Sequence, residues 1–359
     1  MPKSIPAKAV LKQLKADLTG KDSYRGVTLT YSWLANQFGH ISLGFIPTFI
    51  VYIALSKHIS ERRAANRAVL LVSAAWLAFE FCNLLVPILF KMHEKLKVTF
   101  ISRRQRIFQP AWKNIAFDTI TDLCFFWFGA FFAGVLCHFT FYGLLVVLIL
   151  AVTLIYPTAY WYSTKMYLQY AQYPFQFRLG QWNFENITRR DRVTINRFIN
   201  NRTNGMHLFL FGSEKCGKTS LSVGIATEMS IKHIRCLYTT AIKLYSMFFD
   251  NNKAGTLDEQ ALWDWRSAAV IVIDDINTGG PISDIISPGK FLSFIDTFTG
   301  NEANRDVLRR ANVIWVLGDY DPKREAIDKW RLMLQGIGIK DQNIYEITLV
   351  EQACETAMV

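Results

Sequence analysis

The chain has 359 residues, of which 51% are hydrophobic, 14% aromatic and only 19% charged, and its mean hydropathy is positive. That balance is too apolar for an ordinary soluble protein. Six cysteines, at 82, 124, 137, 216, 236 and 354, show neither metal-ligand spacing nor a paired framework, which points to a reducing compartment.

The first 30 residues are polar and basic, with Lys3, Lys8, Lys12, Lys15, Lys21 and Arg25, and lack the apolar core of a cleavable signal peptide. Further basic clusters follow at Arg62, Arg63 and Arg67 and at Arg103, Arg104 and Arg106, and the formal net charge is +11. Basic clusters beside apolar runs suit anionic lipid headgroups. Nucleic acid is the other polyanion such charge serves, but the half beyond Arg178 carries no strong basic run.

A helix needs about 20 mostly apolar residues to cross roughly 30 Å of hydrocarbon. Residues 33–55, 68–90, 120–137 and 139–160 meet or approach this length, giving a helical transmembrane module over 31–164 with about four spans. The break near His138 is short, so a single bent hairpin would give the same pattern as two spans. Four crossings put the N-terminus and the C-terminal half on one side. The positive-inside rule places that side in the cytoplasm from the N-terminus and the 91–113 loop, but the basic loop at 57–67 opposes it. Glu80 lies within the second run, and Asp118 and Asp122 sit one turn apart where the third begins. An ionisable group at that depth costs about 2.5–3.5 kcal/mol, which leaves two readings: an ion path, or helix pairing for Glu80 with interfacial placement for the aspartates. Gly129, Ala130, Ala133 and Gly134 fit close helix approach.

After a linker over 165–190 the pattern changes. MHLFLF is an apolar run of strand length, followed by Gly212, Ser213, Glu214, Lys215, Cys216, Gly217, Lys218, Thr219 and Ser220 and then a helical pattern. This is the strand, glycine-rich loop and helix order of a phosphate-binding loop. Such a loop points successive N–H groups at phosphate oxygens beside a helix N-terminus. Lys218 is then expected on the β and γ phosphates, and the Thr219 hydroxyl on Mg²⁺. Cys216 is a small loop filler whose thiol could also make the site sensitive to oxidation.

AAVIVIDDI places Asp274 and Asp275 about 55 residues beyond Lys218. A buried parallel strand delivers such carboxylates at its C-terminal edge, with Asp274 expected to hold Mg²⁺ through water and Asp275 to polarise the attacking water. Residues 234–239, 312–317 and 344–349 read as further strands, so the half from 191 to 359 is expected to be an α/β domain with a five-stranded parallel sheet covered by helices on both faces. The end of the 312–317 strand falls beside the phosphate site, where Asp319 is the nearest candidate γ-phosphate sensor.

WNFENITRRDRVTINRFINN, GMHLFLFGSEKCGKTSLSVGIA, IRCLYTTAIKLYSMF and VIVIDDI together resemble the core of AAA+ ATPases, nearest in style to bacterial helicase loaders and transposition helpers, over about residues 181–350. The resemblance implies ATP and Mg²⁺, assembly into rings or filaments with sites between subunits, and an adenine pocket near Phe184 and Ile187. Three features depart from the family pattern. Gly318-Asp319 stands where a sensor Asn, Ser or Thr is usual, no helical lid follows the last strand, and a trans-acting arginine has several candidates: Arg331 and Arg324 after the sensor strand, Arg309 and Arg310 before it. A GTPase is disfavoured, because DDINTG lacks Asp-x-x-Gly spacing and no Asn-Lys-x-Asp follows. The expected activity is a membrane-anchored, oligomeric ATPase that works on an unidentified protein partner. The alternatives are a nucleotide-gated pore or signalling effector, and a membrane-tethered nucleic-acid loader.

Overall fold

The computed structural model describes residues 5–19, 27–95, 112–182, 187–200, 205–212, 215–249, 262–276, 286–296, 301–318 and 325–349. The chain divides into two compact units, a helical one of Gln13–Gln105 with Gln109–Lys165, and one that carries the sheet, Met166–Val359 with Met1–Lys12 and Arg106–Phe108.

The helical unit contains α2 (Leu29–Ser56), α3 (Glu61–Lys95), α4 (Trp112–Cys137) and most of α5 (Phe141–Tyr170), together with the second half of the short α1 (Ala7–Leu18), whose residues up to Lys12 fall in the other unit. All four longer helices are long and apolar enough to cross a membrane. They outrun the apolar segments read from sequence, because charged and aromatic residues continue each helix beyond its apolar stretch. Asp118 and Asp122 consequently lie inside α4 rather than at its start. The short break near His138 does separate two helices: the Thr140 hydroxyl accepts the Gly143 N–H at 3.1 Å and starts α5. Thr28 does the same for α2, accepting from Tyr31 N at 3.2 Å.

Pro47 lies within α2 and has no N–H to give the carbonyl four residues back, that of Leu43. The indole Nε1–H of Trp76 on α3 donates to that carbonyl at 3.0 Å, replacing the missing intrahelical bond with an interhelical one. Trp76 is held in place by stacking on Phe126 of α4, with ring centroids 3.9 Å apart. A second indole, Trp127, donates to Ser73 O at 3.1 Å. Close approach of α2 and α4 rests on glycine: a Cβ at Gly44 would run into the Phe126 carbonyl, and one at Gly129 into that of Ile41.

The sheet unit orders its five strands β2-β3-β4-β1-β5, all parallel. In chain order these are β1 (His207–Gly212), β2 (Cys236–Thr240), β3 (Val270–Ile276), β4 (Asn312–Leu317) and β5 (Ile344–Leu349). Alternation sends Phe209 and Phe211 into one core and Leu208 and Leu210 into the other. The first core is closed by α8 (Ala241–Phe249), α9 (Pro288–Asp296) and α11 (Glu325–Ile337), through Leu244, Phe291 and Trp330. The second is closed by α6 (Arg189–Asn200) and α7 (Lys218–Ile231), through Phe198 and Leu221. A further helix, α10 (Asn301–Arg310), precedes β4. His207 is buried between cores and backbone: its Nδ1 accepts from Trp315 Nε1 at 3.0 Å and its Nε2 lies 3.1 Å from Leu308 O. Burial pushes its pKa down to about 3, so it is a neutral structural histidine.

Replacing Trp76 with Phe removes the donor to Leu43 O while keeping the ring stack. The fold should lose about 0.5–1.5 kcal/mol, the net contribution of one hydrogen bond, read as a lower melting temperature in detergent. Adding Pro47→Ala restores an intrahelical donor and should recover most of that loss. A Trp76→Phe loss that Pro47→Ala leaves unchanged would show the bond to be incidental.

Candidate functional site

β1 has β4 on one side and β5 on the other, and β4 separates it from β3. The carboxyl ends of β1, β4 and β3 therefore lie side by side, at the edge where open parallel sheets bind ligands. Two strand spacings, about 10 Å, separate the β1 and β3 tips.

At the β1 tip the chain turns sharply into α7. Lys215 has φ +61° and Gly217 φ +86°, the left-handed region, where glycine is favoured and a β-branched residue is strained. A Cβ on Gly212 would meet Leu349 O and the Cys216 thiol, so the turn packs directly against the end of β5. Cys216 is buried within the α6–α7 core, in agreement with a filler role. Lys218 is the first residue of α7, and its ammonium donates back across the turn to Gly212 O at 2.7 Å, with Cys216 Sγ at 3.7 Å. Thr219 and Ser220 are half-buried in the first turn of α7, whose opening N–H groups have no intrahelical acceptor. Ser213 and Glu214 lie outside the described residues.

At the β3 tip Asp274 is only 2% exposed. Both of its oxygens are held: the Tyr238 hydroxyl of β2 donates to Oδ2 at 2.7 Å, and the Asp275 N–H to Oδ1 at 2.8 Å. Burial and the neighbouring Asp274 raise the Tyr238 pKa, so the phenol stays a donor. Tyr238 was not legible as a site residue, because it becomes one only when β2 is known to pair with β3. Asp275 occupies a register shift between Ile273 and Ile276, with φ +56°, and its side chain is exposed. The bulge turns adjacent aspartates in different directions. Beyond it Ile276 O accepts the Gly318 N–H of the β4 end at 2.8 Å.

The other expected residues divide. Ile187 is buried in the core that includes Trp182 and Cys216. Phe184, Asp319 and Arg324 lie outside the described residues. Arg331 is occupied within its own unit, donating to Asp341 Oδ1 and to Glu346 Oε1, each at 2.6 Å. Arg309 is bonded to Ile337 O and Asp306, and Arg310 to Asp306 O.

A second group of titratable side chains lies in the helical unit, around a cavity of about 500 Å³ lined by His40, Glu80, Asp118 and Asp122 together with Trp76 and Phe126. His40 Nδ1 is 3.2 Å from Asp122 Oδ1. Glu80 is buried. Among the described residues no His, Cys, Asp and Glu side chains are grouped to hold a metal ion.

No family model and no curated protein matches the chain. Among solved structures, a crystal structure of DnaI is similar over 49% of this chain and 89% of that chain, at 17% identity and a TM-score of 0.31.

Partial desolvation at the sheet edge, and then the charge of Asp274, raise the pKa of the otherwise exposed Asp275. Folding therefore favours its protonated form. The resulting penalty is fully present at neutral pH and vanishes once pH falls below the ordinary carboxylate range. Because solvent screens an exposed carboxylate, Asp275→Asn should raise the melting temperature only slightly at pH 7, and the gap should close in acid. A lowered melting temperature at pH 7 would contradict this electrostatic account.

Proposed function

We propose that the chain is a membrane-anchored, AAA+-like P-loop ATPase that binds ATP with Mg²⁺, forms homo-oligomers and couples nucleotide binding or hydrolysis to work on a partner protein. The observation that carries this reading is the meeting, at one edge of a parallel sheet, of the Gly212–Gly217 turn with Lys218 and of a strand tip bearing Asp274 and Asp275. The donor set fits a magnesium nucleotide. The turn and the opening N–H groups of α7 suit phosphate oxygens, Lys218 supplies a point charge, and the Thr219 hydroxyl and Asp274 carboxylate are hard oxygen ligands of the kind Mg²⁺ takes. Bound Mg²⁺ would neutralise charge on the phosphates. Asp275, aimed out of the strand, is the group to polarise water.

The anchor rests on the outer faces of the helical unit. Ile46, Ile50, Leu71, Phe81, Leu148 and Ile155 are all exposed, and leaving such surface in water costs about 25 cal/mol per Å². Hydrocarbon removes that cost. Residues 31–164 then form the membrane module, 165–190 the connection and 191–359 the ATPase domain. Four crossings return the chain to its starting side, so the N-terminus and the ATPase share the cytoplasmic face.

The cavity at His40, Glu80, Asp118 and Asp122 favours a second reading, in which nucleotide binding gates ion passage through the helical unit and hydrolysis is slow. Polar side chains gathered at membrane depth are costly unless they line a pathway or pair with one another.

Phosphate release by the full chain in detergent should fall on the order of a hundredfold or more in Lys218→Ala and in Asp275→Asn, the loss usual for removing a preorganised charge-stabilising group. Undiminished turnover in both would reject the ATPase. In reconstituted vesicles, ion flux that appears with ATP or a non-hydrolysable analogue and disappears in Glu80→Gln would favour the gated pore, whereas vesicles that stay tight under both nucleotides would remove it.

A further inference from the structure

Helix α1 is built inside out for a helix in water. Its buried residues are Gln13 and Asp17, whereas Leu11 and Leu18 are 65% and 61% exposed. The polar pair is firmly held. Gln13 Nε2 donates to Asp17 Oδ1 at 3.0 Å and to Thr30 Oγ1 at 3.3 Å. Thr28 Oγ1 donates to Asp17 Oδ1 at 3.3 Å, and the Tyr162 hydroxyl to Asp17 Oδ2 at 2.6 Å. A phenol on a carboxylate at that length is among the stronger hydrogen bonds. The helix thus docks on α2 and α5 through Gln13 and Asp17, with Val10 and Leu14 half-buried beside them, and turns Leu11 and Leu18 outward.

Lysines share that outward side. At roughly 100° per residue, Leu18, Leu11, Lys15 and Lys8 fall on one arc opposite Gln13 and Asp17, with Lys12 at its flank. The single acid of α1, Asp17, is on the docked side. The docking partners also fix the level of the helix. Thr28 caps α2 and Thr30 lies in its first turn, and one turn further Trp33 meets Tyr162 edge-on at 6.3 Å. Tryptophan and tyrosine at the ends of apolar helices mark the bilayer–water boundary.

We infer that α1 is an interfacial helix that seats Leu11 and Leu18 at the acyl–headgroup boundary and binds anionic phospholipid headgroups through Lys8, Lys12 and Lys15. The inference rests on α2–α5 crossing a bilayer. An outward leucine pair flanked by snorkelling lysines is the composition that such helices use. A nucleic-acid backbone would engage the lysines but has no use for the leucines. Docking through buried hydrogen bonds explains why the apolar side is left free for lipid.

The full chain is reconstituted in nanodiscs of phosphatidylcholine alone, or with about 30% phosphatidylserine, the kind of surface that attracts juxtamembrane lysines. A water-soluble acetylating reagent then labels lysines, and mass spectrometry reads Lys8, Lys12 and Lys15 against the exposed Lys340. Anionic lipid should cut labelling of the three by about threefold or more, as expected for several lysines held at an anionic surface. Leu11→Ser with Leu18→Ser, at exposed positions, should abolish much of that protection without loss of folding. Equal labelling in the two lipid mixtures, or protection by a single-stranded oligonucleotide but not by phosphatidylserine, would overturn the inference. A chain that stays in solution without detergent would instead defeat the membrane reading itself, before any labelling is done.

Discussion

Parallel strands cannot be joined by a tight turn, so each neighbour in β3, β4 and β1 is reached by a crossover that returns the chain to the same edge. That constraint places Gly212, Gly318 and Asp274 at adjacent strand ends although they are far apart in sequence. It also requires the strands to be buried on both faces, and β1 and β4 are buried along their whole length. A carboxylate at the end of such a strand is desolvated. Asp274 is tolerable there because a phenol and a main-chain amide meet its two oxygens. The same sheet edge then leaves Asp275 no room to follow. The strand bulges, the residue enters the left-handed region, and its carboxylate points outward. One constraint thus produces two adjacent aspartates with different surroundings and, in the proposed ATPase, different tasks.

The position of Lys218 follows from the same geometry. Only five residues separate the end of β1 from the start of α7, and an ammonium reaches back across them to the Gly212 carbonyl. Turn and cation are therefore mutually supporting before any phosphate is considered.

Much of this was legible in the residues. Buried parallel strands read as uninterrupted apolar runs, which is why VIVIDDI and NVIWVL could be placed within one or two residues of β3 and β4. The glycine spacing before Lys218 specified a turn whose chemistry is local. What could not be read depends on pairing across the sheet or between helices. Tyr238 looks like any strand aromatic until β2 is set beside β3, and His40 looks isolated until α2 is set beside α4. The departure at Asp275 arises from register, which a single strand does not encode. Helix ends were missed for a different reason: hydropathy reports the apolar middle of a helix, while Trp112, Lys113 and residues 161–170, with their mix of aromatic, hydroxyl and charged side chains, continue the same backbone beyond it.

The two units hold together by opposite means, and the contrast bears on the proposed membrane assignment. The sheet unit is packed by apolar side chains on both faces, the force available to any fold in water. Between helices surrounded by lipid that force is absent, because hydrocarbon is as apolar as leucine. What remains is van der Waals packing, close backbone approach and hydrogen bonding, and the helical unit uses all three: buried Val69, Phe125 and Phe126, Gly44 and Gly129 against facing carbonyls, Trp76 and Trp127 donating to the carbonyls of neighbouring helices, and Asp17 gripped by Tyr162 and Thr28. A bundle evolved for water would have placed leucine at these contacts and polar groups outside. The inversion runs from the interior of the bundle out to α1, whose acid faces in while Leu11 and Leu18 face out. Under the proposed membrane assignment, one solvent accounts for both ends of that series.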